Sequence, residues 1–223
     1  MNDAAFPVEN FRRALEGEGA TLTGDAVVLA KGIALPWRGI DGEAAQVAAS
    51  AVRAASGLAL AVAKARDDRY LSDDGREQAV QAPAAQARAK VDEALGEISR
   101  RTDSLRAQHE VALTPPALGE GQTVCEMKDA EIRGLLRGMS QSDASAALAK
   151  HPSAALAVLR GPRIGLDGLV EQAERLRLVE LRRTDAFANL ERSIAWWERA
   201  AEIAHAARDA LPALARRVKD ARP

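Results

Sequence analysis

The chain has 223 residues, a formal charge of -1 and 3% aromatic residues, and alanine makes up about a fifth of it, far above ordinary usage. So even a charge balance leaves no basic footprint for nucleic acid or an anionic membrane, and the single cysteine, Cys125, rules out a disulfide framework. Alanine forms helix readily but adds little volume to a core, so the composition predicts an all-α chain of thin, closely packed helical hairpins and bundles.

Residues 1–40 read as an irregular N-terminal arm. Phe6 to Phe11 start a short helix through Leu15, which Gly17 and Gly19 break. Thr21–Thr23 and Ala26–Ala30 flank Gly24-Asp25, a signal for a tight hairpin turn, and Gly32, Pro36 and Gly39 prevent a longer element. Trp37 is the arm's anchor, either onto the body of the protein or onto a neighbouring molecule. Residues 1–11 lack a basic segment followed by an apolar one, so no signal peptide is expected.

Residues 41–116 read as a long helical hairpin. Asp41 is the expected N-cap of a helix over 42–70, in which Ala45, Ala48, Val52, Ala55, Ala59 and Val62 recur at heptad-like spacing. Gly57 sits beside that seam, and small residues there allow close approach. The apolar window Gly57–Ala65 is short and followed by charges, so no membrane span is expected. Ser72 or Asp73 caps the next helix, which runs to about Leu113. Pro83 kinks it or delays its start. Its seam is Ala84, Ala87, Val91, Leu95, Ile98, Thr102, Leu105, His109 and Ala112, and Pro115-Pro116 ends it.

Residues 117–165 read as a loop followed by a cap of short helices. The first opens near Lys128 and runs through Met139, the second covers Asp143–Lys150 behind Ser140 or Ser142, and the third ends at Gly161-Pro162. Residues 166–223 read as one long helix packing on the bundle. Its first part uses Leu166, Leu169, Ala173, Leu176 and Val179. Its second part spaces Phe187, Leu190, Ile194, Trp197, Ala201, Ala204, Arg208, Leu211, Ala215 and Val218 in a 3-4 alternation that demands a partner helix. The register slips at Glu180–Arg183, which marks local unwinding or a change of partner, and Pro212 kinks the helix or stops it at Leu211.

The pattern offers little site chemistry. His109, His151 and His205 are isolated, so no zinc-ligand spacing exists. Gly17-Glu18-Gly19 and Gly119-Glu120-Gly121 lack the Lys-Ser/Thr of a phosphate loop, and no nucleophile elbow is present. No catalytic residue, metal or cofactor is expected. The candidates are for protein contact. Trp197 lies on the helix seam and Trp196 is rotated about 100° from it, a position suited to anchoring an interface. Arg175, Arg182 and Arg183 belong to a mixed-charge face that is either solvated or a protein contact.

Several stretches in order carry a resemblance: the turn Leu71-Ser72-Asp73-Asp74-Gly75-Arg76 before a long helix, a proline break, Asp129-Ala130-Glu131-Ile132-Arg133-Gly134-Leu135-Leu136-Arg137, then Ser142–Leu148, Pro152–Pro162 and a long charged terminal helix. This layout, over about residues 65–210, resembles helical proteins encoded among the head and tail genes of tailed bacteriophages. The resemblance implies a minor structural protein of the virion, at the portal, head-tail junction or capsid surface, made in the host cytoplasm and acting in many copies through other virion proteins or itself. The alternative from the residues is a cytoplasmic helical adaptor, chaperone or regulator that binds one protein partner.

Overall fold

The computed structural model describes residues 21–23, 26–29, 33–36, 42–119, 121–162 and 164–219. In chain order these form β1 (Thr21–Thr23), β2 (Ala26–Leu29), β3 (Ile33–Pro36), α1 (Gly42–Asp67), α2 (Asp73–Leu113), α3 (Thr123–Gly138), α4 (Gln141–Lys150), α5 (Pro152–Arg160), α6 (Asp167–Arg182) and α7 (Asp185–Arg216). The chain is all-α, built by helix-on-helix packing, with one small sheet ahead of the helices. β1 and β2 pair antiparallel with Thr23 opposite Ala26, the register of a two-residue hairpin. β3 adds a third antiparallel strand with Leu29 opposite Ile33, which the surrounding glycines and proline hid in the sequence. Pro36 is its last residue, where a missing N–H costs the ladder least. The expected helix over Phe6–Leu15, the Asp41 cap and the Trp37 anchor lie outside the described residues.

The chain folds as two compact units, one made of Met1–Ser104 with Ser193–Pro223 and the other of Leu105–Arg192. α2 leads from the first unit into the second and α7 returns to the first. The hairpin expected over 41–116 is therefore divided within α2, and the expected C-terminal segment is divided between both units.

In the first unit α1 is the inner helix. It buries the row Ala44, Ala48, Ala51, Ala55, Leu58, Val62 and Ala65, and beside it the row Ala45, Ala49, Val52, Ser56 and Ala59, a face too wide for a single neighbour. α2 contributes one stripe, Val80, Ala87, Val91, Ala94, Ile98 and Thr102. Leu58, Ile98, Ile203 and Leu214 are the large residues sealed in this unit, each stabilising it by roughly 1.5–3 kcal/mol. The Ser72 hydroxyl accepts the Gly75 N–H at 3.1 Å and caps α2. α2 starts at Asp73 and continues past Pro83, so the proline does not delay it. By length and composition α1 is long and apolar enough to cross a membrane, which the window Gly57–Ala65 understated because the alanines before Gly57 extend it; 61% of its apolar window is buried within the protein.

The seam of α7 departs from the strict 3-4 alternation. Trp197, Ala200, Ile203, Ala204, Ala207, Leu211, Leu214 and Val218 are buried, while Arg208 is exposed and lies 3.8 Å from Asp209. At about 100° per residue the buried positions centre on Ala200, Ala207 and Leu214, and Arg208 lies about 100° round the helix from Ala207, outside that face. α7 also continues past Pro212 to Arg216 instead of stopping at Leu211; burial of Leu214 and Val218 beyond the proline offsets part of a cost of about 3 kcal/mol.

In the second unit α3, α4, α5 and α6 enclose a core of Leu136, Ala144, Leu148, Ala155, Val158, Leu166, Leu169, Val170 and Ala173. Ser140 caps α4, accepting the Asp143 N–H at 3.2 Å, and Pro152 opens α5, where its absent N–H is harmless. Two arginines of α3 hold the α5–α6 connection: Arg133 donates to the Ala157 carbonyl at 2.9 Å and Arg137 to the Ile164 carbonyl at 2.9 Å, supplying partners to carbonyls at and beyond the end of α5. α3 starts at Thr123, five residues before the expected Lys128. The single long helix expected after Leu166 is two helices. The Thr184 hydroxyl lies 3.4 Å from the Phe187 N–H that it accepts and donates to the Leu181 carbonyl at 2.6 Å, so it stops α6 and caps α7.

Candidate interaction surface

The sequence pointed to Trp37, Trp196, Arg175, Arg182 and Arg183. Trp37 lies outside the described residues. Trp196 is half-buried on α7 in the first unit, beside Trp197, which is 7% exposed. The three arginines belong to the second unit, so no one unit brings the tryptophan and the arginines together.

Each arginine has its own setting. Arg175 is exposed and 3.6 Å from Glu171, one helical turn away. Arg182 grips both oxygens of Glu191, with its Nε at 3.0 and 3.1 Å and its Nη2 at 2.8 Å. This planar, two-pronged contact ties α6 to α7 across the Thr184 turn. The Arg182 guanidinium holds the Glu191 carboxyl below the usual carboxylate range, first by hydrogen bonding and then by charge, and Glu191 in turn raises Arg182. The end of α2 joins this cluster: His109 Nε2 is 3.9 Å from Glu191 and its ring lies 4.9 Å from the buried Phe187 ring. Arg182 is thus a fastener inside its own unit, and its charge is already matched. Arg183 is exposed at the rim of a groove of about 190 Å³ between α4, α5 and α6, lined by Leu148, Pro152, Leu156, Leu176 and Val179.

A more open groove of about 780 Å³ runs between α1 and α2, past Gly57, Leu58, Pro83 and Ala87, with Arg53, Lys90, Glu93 and Glu97 along it. Its charges are mixed. Among the described residues, no group of three His, Cys, Asp or Glu side chains could hold a metal ion. Cys125 is exposed in the first turn of α3.

The surface that sequence reading missed lies on α3. Val124 is 62% exposed, Met127 68%, Leu135 59% and Met139, just past the helix end, 43%. At about 100° per residue these four fall within roughly 120° of arc, while Leu136 and Asp129 on another side of the helix are buried. Asp129 meets Arg160 at 3.5 Å and Leu136 enters the core. The signal was in the sequence, since α3 has more apolar positions than one buried face can use. Starting the helix near Lys128 removed Val124 and Met127 from the pattern and concealed it.

Compared with known proteins, the chain matches no family model, no curated protein and no solved structure.

Proposed function

We propose that this chain is a non-enzymatic structural protein that assembles in several copies on a larger particle, as a minor virion component of a tailed bacteriophage. It is made in the host cytoplasm, carried in the virion and works through protein contacts with other virion proteins or with itself. The observation that supports this most is the row Val124, Met127, Leu135 and Met139, open to solvent on a helix that also closes a core. Single exposed apolar residues are ordinary on a free surface, whereas four on one helix face, two toward each end with Lys128 and Glu131 between them, suit a part that is covered when it works. The alanine-lined helices and the head-and-tail layout of residues 65–210 agree with such a role.

The test is to express a tagged chain in the induced host, band the particles by density and quantify the tag in them. A fixed number of chains per particle is the expected result. A chain that stays wholly in the soluble fraction, bound to one cellular protein, overturns the virion reading and favours the adaptor. Removal of residues 1–40 is expected to abolish incorporation without loss of helicity; unchanged incorporation would remove the arm from the assembly role.

A further inference from the structure

The charges within the exposed face of α3 specify what covers it. Val124, Lys128, Glu131, Leu135 and Gly138 recur at a 4-3-4-3 spacing, the seam of a helix that packs along a second helix. All five are exposed, and among the described residues Lys128 and Glu131 form no ion pair. The seam therefore reads apolar, cationic, anionic, apolar, small. That order is self-complementary in one direction only. If two such helices run parallel, Lys128 meets Lys128 and Glu131 meets Glu131, and both layers repel. If they run antiparallel about a two-fold axis between Asp129 and Ala130, Lys128 of each copy faces Glu131 of the other and Val124 faces Leu135. The axis makes both contacts twice, as an isologous interface requires. Met127 falls beside the second copy's Gly134, where a side chain would meet nothing within 4 Å in the single chain.

We propose that α3 is a homodimerisation helix, pairing antiparallel with α3 of a second copy of this chain through a Val124–Leu135 layer at each end and two Lys128–Glu131 ion pairs at the centre. The charged layers set direction and register, as polar residues within a coiled-coil seam do. The apolar layers supply the attraction. One helix face is smaller than the about 800 Å² per partner of a standard interface, so the pair is weak and concentration-dependent. It gives the assembly reading above a specific contact and rests on the same exposed face, but not on the particle.

The test is a charge swap in the full chain, followed by sedimentation equilibrium over a concentration series, with circular dichroism to verify helicity. The parent chain is expected to pass from one to two chains in mass as concentration rises. Lys128→Glu places two carboxylates in each central layer and is expected to weaken association by on the order of tenfold or more. Glu131→Lys is expected to do the same with two cations. The double variant Lys128→Glu/Glu131→Lys restores opposite charges in every layer and is expected to associate like the parent. A parent that stays monomeric throughout, or single reversals that leave association unchanged, overturns the pairing, as does a double variant as weak as the singles. Particle incorporation of Lys128→Glu separates the two readings. A monomeric variant that still enters particles leaves the virion role standing without the dimer as a requirement, and a chain that dimerises but never bands with particles leaves the dimer standing without the virion.

Discussion

Two glycines show how residue identity gains meaning only from its surroundings. Gly57 lies within α1 on the open groove, and a Cβ there would meet nothing within 4 Å. In the sequence it looked like a device for close helix approach, but it serves no contact. Gly57→Ala is therefore expected to raise stability by about 0.5–1 kcal/mol, the difference in helix propensity, as read by urea unfolding; a loss would mean that a neighbour occupies the groove. Gly161 looked like simple punctuation after α5. A Cβ there would run into the Arg133 guanidinium, which holds the Ala157 carbonyl. Gly161→Ala is expected to displace Arg133 and cost about 1 kcal/mol for the hydrogen bond lost, and Arg133→Met should make the alanine much less harmful. Such a distinction is not legible in one sequence, because the arginine that decides it lies 28 positions away.

At the scale of the element, periodicity located α1 and α2 closely, since a face six residues or more long is hard to mistake. It failed where a short-range competitor acted. The Thr184 hydroxyl converts a slip in register into a break, and the buried face of α7 centres on Ala200 and Ala207, which leaves Arg208 outside it. Ala207→Asp is accordingly expected to destabilise the first unit by about 2–4 kcal/mol, the cost of a buried carboxyl without a partner. Arg208→Ala should stay within about 0.5 kcal/mol, as at an ordinary surface position; the reverse ranking would restore the strict repeat. The α6–α7 fastener has a pH signature. The Glu191 carboxyl is lowered in the folded state, so its stabilising contribution is complete above the ordinary carboxylate value and fades as pH falls through the lowered one. Glu191→Gln is expected to lower the stability of the second unit slightly at neutral pH, to make no difference once the carboxyl is protonated in acid, and so to flatten the pH dependence across that acidic window. The effect is small because both partners are partly solvated, and it shrinks further in high salt.

At the scale of the whole molecule, composition and periodicity gave the all-α class, but not the division into units. No linker marks the boundaries at Ser104 and Ser193, because both fall inside continuous helices. Trp196 and Trp197 belong to the first unit, and residues 105–192 contain no tryptophan. Tryptophan fluorescence therefore follows the first unit, while circular dichroism follows both. Leu148→Ala, which opens the core of the second unit at an expected cost of about 2–5 kcal/mol, should shift part of the dichroism transition and leave the fluorescence midpoint in place. Ala207→Asp should shift the fluorescence midpoint. Equal movement of both probes by both variants would show that the units unfold as one.

The interruption of the first unit by the second also sets an order of events on the ribosome. Chain emerges from the N-terminus, yet the first unit cannot be completed until the residues after Ser193 appear. The inserted unit is contiguous in sequence and can close as soon as Arg192 has cleared the exit tunnel. The inserted unit is thus folded before the first is finished, against the usual N-terminal-first sequence. Throughout that interval the first unit is incomplete around α1, a helix long and apolar enough to cross a membrane, at the stage when a nascent chain is most open to a chaperone, a membrane or another copy of itself.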